Sequence, residues 1–267
     1  ATPFMQTKFD LKIDDVIFRA LQLNFTTKPE EERHTLIFLH DSLGCIKLWR
    51  DFPEQVGQAT QCDVLIYDRQ GYGLSSPFNS DKRNNYYLEK EANILNKILE
   101  KLKIKKAILF GHSDGGSISL IAAAKYPTKI AGIITEGAHV FVEDITLNGI
   151  REVVDAYKNT DLKNKLSKYH GTKVEAVFTA WSQTWLHPEY KDWNIENFLS
   201  QIHCPSLIIQ GANDEFGSEK QVDAIVSQVN GKSFKCMIPN AGHNPHKEAA
   251  KQTLEKVIHF VTDLTKG

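Results

Sequence analysis

The chain has 267 residues, 41% of them apolar, and 32 basic against 33 acidic side chains leave a formal charge of −1. That balance, with no long block of either sign, excludes a nucleic-acid footprint and a lipid-headgroup surface; apolar stretches no longer than a strand exclude a transmembrane helix. The length suits one large α/β domain, or a core with one sizeable insertion.

The opening stretch Ala1-Thr-Pro-Phe-Met-Gln-Thr-Lys8 lacks the apolar core of a signal peptide. Cys45, Cys62, Cys204 and Cys236 are widely spaced with no C-x-x-C pair, which fits buried free thiols in a reducing, cytoplasmic setting and no metal site. Alternation over Val16–Phe25 predicts a hairpin or edge strands, and Lys28–Arg33 a polar turn. Thr35–Leu39 and Asp63–Tyr67 are strand-length apolar runs, expected where helices cover both sheet faces. Between them Ile46–Gln58 reads as a helix, giving a right-handed strand–helix–strand crossover. The helix predicted over Tyr86–Leu102 puts Leu88, Ala92, Leu95, Leu99 and Leu102 on one stripe. A strand follows from Ala107, then a glycine-rich corner at Ser113, then a helix whose Ala122, Ala123 and Ala124 let it lie close to a sheet.

Ile130–Ile134 is another buried strand, after which the pattern changes. From about Ala138 to Asn197 weak helical stripes carry Phe141, Tyr157, Tyr169, Phe178, Trp181, Trp185, Tyr190 and Trp193. Strand rhythm resumes at Ser206–Ile209 and Phe234–Ile238, with helices near Gln221–Gln228 and over Lys247–Leu264. Alternating strands and helices predict an α/β fold: a doubly wound, mostly parallel sheet with active residues at the carboxyl ends of strands. Residues 1–137 and 198–267 form that core, and 138–197 an inserted helical lid. Most lid rings pack the helical subdomain itself; Trp181 and Trp185 are the candidates for burying the apolar part of a substrate.

The corner reads Gly111-x-Ser113-x-Gly115, the spacing of a nucleophile elbow after a strand and before a helix. Both glycines are needed because the chain reverses sharply there. A phosphate-binding loop would need a lysine after the glycines. A serine needs a base, and the base an orienting acid, expected in the chain order Ser, Asp or Glu, His. Of ten histidines, His34, His170, His187 and His203 lie away from the expected loops, His259 lies in the last helix, and His112 adjoins the serine but aims elsewhere. His243 follows Gly242 just past a strand and is the expected base, with His246 its rival. Asp214, after Gly211 and Asn213, is the expected acid; Glu136 and Glu215 are rivals, and a helix N-cap is its alternative role.

Two N–H donors must face the oxyanion, each contributing roughly 3 kcal/mol to the transition state. Asp114 supplies one, and Ser42 the other, with Leu43 second choice. The Asp114 carboxylate, if it faces the pocket, attracts a substrate ammonium at ~6 Å by roughly 3 kcal/mol in a dielectric of about 20. That favours a substrate with an amine near its carbonyl. Alternatively Asp114 turns away, pairing with Lys125 or capping the helix.

The motifs His40-Asp-Ser-Leu-Gly44, Asp68-Arg-Gln-Gly-Tyr-Gly73, Gly111-His-Ser-Asp-Gly-Gly116, Gly211-Ala-Asn-Asp214 and Gly242-His243 span nearly the whole chain. In this order they resemble the α/β-hydrolase family. Ser113-Asp-Gly-Gly116 with Leu120-Ile-Ala-Ala-Ala-Lys-Tyr-Pro127 resembles its biphenyl hydrolase-like (valacyclovir hydrolase-like) group. The resemblance implies the α/β-hydrolase fold, cleavage of α-amino-acid esters, and an acid at position 114 that receives the amine. Asp41 departs from it, since most relatives have glycine there.

The expected reaction is acyl transfer from a small carboxylic ester to water through an acyl-enzyme, with Ser113 as nucleophile, His243 as base and Asp214 orienting it. It needs no cofactor and no metal. The partner is a small-molecule ester, with no nucleic acid and no membrane. Other outcomes are a carbon–carbon bond hydrolase of acidic dienones, which Asp114 disfavours, and a ligand-binding module without turnover.

Overall fold

Successive side chains of a strand point to opposite faces, so a run apolar at every position must be covered on both sides. A computed structural model, describing residues 5–80 and 83–266, has this arrangement. Leu36, Phe38, Val64, Ile66, Ile108 and Phe110 belong to one apolar cluster, and Ile37, Leu39, Leu65, Tyr67 and Leu109 to the other.

In chain order the elements are β1 (Met5–Ile13), β2 (Val16–Asn24), β3 (Thr35–Leu39), α1 (Phe52–Thr60), β4 (Asp63–Tyr67), α2 (Tyr87–Lys101), β5 (Ala107–His112), α3 (Asp114–Lys125) and β6 (Ile130–Glu136). Then come α4 (Asp144–Asn159), α5 (Leu162–His170), α6 (Val174–Leu186), β7 (Ser206–Gly211), α7 (Glu219–Gln228), β8 (Ser233–Ile238), α8 (Pro245–Glu248) and α9 (Ala250–Thr265). One sheet holds the eight strands in the order β1-β2-β4-β3-β5-β6-β7-β8. The β1–β2 hairpin docks antiparallel on β4, and β3 to β8 run parallel. One face is covered by Leu88, Leu95 and Leu99 of α2 with Ile118 and Ile121 of α3; the other by Val56 of α1 with Val257, Phe260 and Val261 of α9.

Residues 1–4 of the Ala1–Lys8 stretch lie outside the described residues, and β1 begins at Met5. Among the described residues no helix is long and apolar enough to cross a membrane. All four cysteines are free; Cys45 and Cys62 are buried, Cys204 and Cys236 half-buried.

Two predicted helices are interrupted. Ile46–Trp49 forms only a 3₁₀ turn, because Arg50 takes φ 55° and Pro53 fits only the first turn of α1. The closing helix starts earlier than its periodicity indicates and breaks at Ala249, φ −136° and ψ 55°, between α8 and α9.

Between β6 and β7 the chain leaves the sheet for α4, α5, α6 and three 3₁₀ turns. Its rings mostly meet one another: Tyr157 stacks on Phe178 at 3.8 Å, and Trp185 lies 5.0 Å from Tyr190 and 5.3 Å from Trp193. The loops after β3, β5, β6, β7 and β8 bring His40–Gly44, Ser113, Gly137–His139, Asp214 and His243 to one sheet edge, the position the doubly wound fold gives to ligands.

Candidate active site

Ser113 is the one residue between β5 and α3, and it takes φ 56° and ψ −115°, a conformation that L-residues rarely adopt. The flanking glycines make it possible: a Cβ on Gly111 would stand 2.0 Å from the Gly115 carbonyl oxygen, and one on Gly115 2.0 Å from that of Leu39. Such strain costs about 1–3 kcal/mol and persists only when the surroundings enforce it. Here it leaves the serine at the amino end of α3, where the first amides have no carbonyl partner within the helix.

His243 and Asp214 meet after β8 and β7. Nδ1 of His243 lies 3.0 Å from Oδ1 and 2.9 Å from Oδ2 of Asp214, and Oδ1 also accepts the Phe216 N–H at 2.8 Å. With Nδ1–H directed at a carboxylate, Nε2 is the nitrogen left to exchange a proton. Burial opposes charge on both partners, but their mutual attraction outweighs it. The Asp214 carboxyl is held below its usual range, and Asp214, Asp41 and Glu136 raise the imidazole to about 9. Among the described residues the Ser113 hydroxyl has no hydrogen-bond partner. It opens on the cavity that His243 also lines.

The rivals for acid and base pair with each other. Glu136, fully buried, accepts the His246 N–H and its Nδ1–H, both at 2.6 Å. His112 aims away from the serine and donates Nε2–H to the His243 carbonyl at 2.8 Å. His112, Glu136 and His246 bring three potential metal-ligating atoms within 4.8 Å of one another, yet each is already engaged in these hydrogen bonds. Asp214 caps no helix; Ser218 caps α7. Glu215 lies against the loop of His243, where a Cβ on Gly242 would stand 2.1 Å from its Oε1.

Arg69, wholly buried, organises the loop holding Ser42. Its Nη2 donates to the carbonyls of His40 at 3.2 Å and Asp41 at 3.0 Å, and its backbone N–H to His40 Nε2 at 3.0 Å. His40 Nδ1–H then donates to the Asp41 carbonyl at 2.8 Å, and burial beside Arg69 keeps this ring neutral. Asp41 is absent from the residues with positive φ, so its backbone makes no demand for glycine. Ser42, 5% exposed, lines the cavity with Leu43 and Ser113.

Asp114 also lines this cavity of about 150 Å³, together with Trp181, Trp185, His139 and Phe216. Its Oδ2 accepts from Tyr87 Oη at 2.8 Å, and that hydroxyl accepts from Trp185 Nε1 at 3.0 Å. Lys125 pairs with Asn93 instead, and the N-cap position of α3 is Ser113, not Asp114. The carboxylate has company: its charge acts on buried Arg69 and half-buried Arg83, and Arg83 stacks 4.0 Å above the Tyr87 ring.

Periodicity and motif spacing do not reach several residues placed here. Gly137, φ +65°, admits the His243 ring, and its position directly after β6 is the signal that marks it. His139 reaches the cavity with Nε2–H bound to the Phe216 carbonyl at 2.8 Å. His170, expected to lie apart, docks α5 on the core: Nε2–H donates to the Leu43 carbonyl at 2.9 Å and Nδ1 accepts the Gly73 N–H at 3.0 Å. These pairs join positions about a hundred residues apart, a distance that no local pattern reports.

Residues 34–195 match the α/β hydrolase fold family. The chain is 30% identical to human (Homo sapiens) serine hydrolase BPHL over 248 residues, covering 89% of this chain and 82% of that protein. It is 24% identical to a putative esterase/lipase 2 of Mycoplasma genitalium, covering 91% and 94%. A solved structure described among carboxylesterases of the thaumarchaeon Nitrososphaera gargenis superposes with a TM-score of 0.76 at 17% identity, covering 97% and 99%. A family match over more than half of the chain, on a sheet of this order, makes the chain a member of the α/β hydrolase fold family and a hydrolytic enzyme.

Proposed function

We propose that the protein cleaves small carboxylic esters through an acyl-enzyme on Ser113, with His243 as base, Asp214 orienting it, and the N–H groups of Asp114 and Ser42 receiving the oxyanion. The observation that carries this reading is a strained serine opening on the same cavity as a buried imidazole bound to a carboxylate. His243 takes the serine proton as the carbonyl is attacked and returns it to the leaving alcohol; water then repeats the cycle on the acyl-enzyme. The segment 138–197 acts as a lid, with Trp181 and Trp185 against the substrate's apolar part and water excluded.

Amino-acid esters are favoured within the class, because the Asp114 carboxylate borders the cavity beside the nucleophile. Arg69 and Arg83 offset part of its charge, so the preference falls below the roughly hundredfold that an isolated carboxylate gives. Hydrolysis of an amino-acid ester and its des-amino analogue, in wild type and Asp114→Asn, tests this. The wild type is expected to prefer the amine by about tenfold and the variant to lose that preference. Equal ratios in the two proteins would remove the amine from the proposal and leave the ester chemistry.

A base raised to about 9 is half protonated there, so kcat/KM is expected to climb with pH to a plateau above it. Asp41 contributes to that elevation, so Asp41→Asn is expected to move the midpoint to lower pH. A pH–rate profile that is flat from 6 to about 10 contradicts the assignment of base.

A further inference from the structure

We infer that Glu136 is a positioning residue for the His243 base: acting through His246, it fixes the far end of the loop on which the base rides, while His112 fixes the near end. The inference rests on the ester-cleaving triad proposed above. His243 belongs to a short loop between β8 and α8, and an imidazole on a loop is only as well placed as the backbone beneath it. Two buried grips hold that backbone. His112, one residue before the nucleophile, donates to the carbonyl of His243 at 2.8 Å. Three residues beyond the base, Glu136 takes both the N–H and the Nδ1–H of His246 at 2.6 Å. Glu248 accepts the N–H groups of Gly242 and Asn244, but it is exposed to water and holds less firmly.

The grips share one cluster. The His112 ring lies 5.1 Å from that of His243 and 5.2 Å from that of His246, and its Nε2 is 3.9 Å from Oε1 of Glu136. Glu136 ends β6, beside the strand that carries Ser113, and the Ser113 N–H donates to its backbone carbonyl at 2.8 Å. One residue therefore ties the strand beside the nucleophile to the loop of the base. Burial opposes its charge, yet His246 and His112 hold its carboxyl below the usual range, so it stays ionised.

The experiment is the rate of Ser113 labelling by a fluorophosphonate, resolved into kinact and KI, in wild type, Glu136→Gln and Glu136→Gln/His246→Phe, each followed by thermal unfolding. The phenyl ring of the double variant faces Trp49 and Phe52, now 5.1 and 5.4 Å from the His246 ring, and the glutamine carbonyl keeps an acceptor for the residue 246 N–H. The double variant is expected to melt near the wild-type temperature. Measured above pH 9, where the base is mostly neutral and the lost Glu136 charge no longer alters its protonation, kinact is expected in both variants to fall by about 10–100-fold with KI changed less than about threefold, the effect of a base moved by a fraction of an ångström. Recovery of kinact together with stability in the double variant would show that the pair merely supports the fold, and unchanged kinact in both would show that the grip is idle. Either result overturns the inference while the triad stands. A wild type that does not label removes both.

Discussion

Ser113→Ala is expected to yield a folded protein that neither turns over esters nor reacts with a fluorophosphonate, with kcat lower by about 10⁴-fold or more. The hydroxyl lies on a residue forced to φ 56° and ψ −115°, a cost that fits the proposed role of presenting a nucleophile to the cavity. Alanine keeps that strain and glycine does not. Ser113→Gly is therefore expected to melt above Ser113→Ala, the relief of about 1–3 kcal/mol exceeding the roughly 0.5–1 kcal/mol that glycine loses in chain entropy. Turnover of Ser113→Ala within tenfold of the wild type would assign the nucleophile elsewhere.

Gly137→Ala is expected to cost about 10²-fold in kcat through collision with the base. A Cβ there stands 2.9 Å from Cε1 and 3.0 Å from Nδ1 of His243, and 3.4 Å from Oδ2 of Asp214. The new methyl meets the imidazole beside Asp214, so the ring or the backbone under it must shift. Backbone strain is separated from collision by Gly171→Ala: Gly171 has φ +59° with nothing within 4 Å of a Cβ. Both variants are expected to lose about 1 kcal/mol or more in thermal unfolding, but only Gly137→Ala should lose activity. Parallel losses of kcat would mean that strain alone, spread through the fold, governs the rate.

Much of the fold is legible because its signals are local. A run such as Leu36-Ile-Phe-Leu39 has no polar face, and only a strand covered on both sides accommodates it. Glycines two before and two after Ser113 report a reversal that other residues obstruct, and the chain order of serine, acid and histidine picks the strand ends from which Asp214 and His243 come. Pairing is less legible. Glu136 and His246 carry the same chemical credentials as Asp214 and His243, and which carboxylate meets which imidazole is decided by loop geometry, across 110 residues in the first pair and 29 in the second. The reach of Arg69 into the His40–Asp41 carbonyls and the Tyr87 bridge between Asp114 and Trp185 are equally non-local. The break at Arg50 is local but silent, because arginine does not advertise a left-handed backbone.

The sheet order bears on how the chain is made. From β5 to β8 the strands are laid down outward in the order in which a ribosome delivers them, so a nascent chain that has emerged only through β6 already possesses its elbow. It also exposes the bare margin of β6, a row of unmet amides and carbonyls of the kind that recruits other strands. β7 and β8 cover that margin and, in the same stroke, bring Asp214 and His243. In the proposed triad, cover for the β6 edge and the partners of Ser113 thus arrive together.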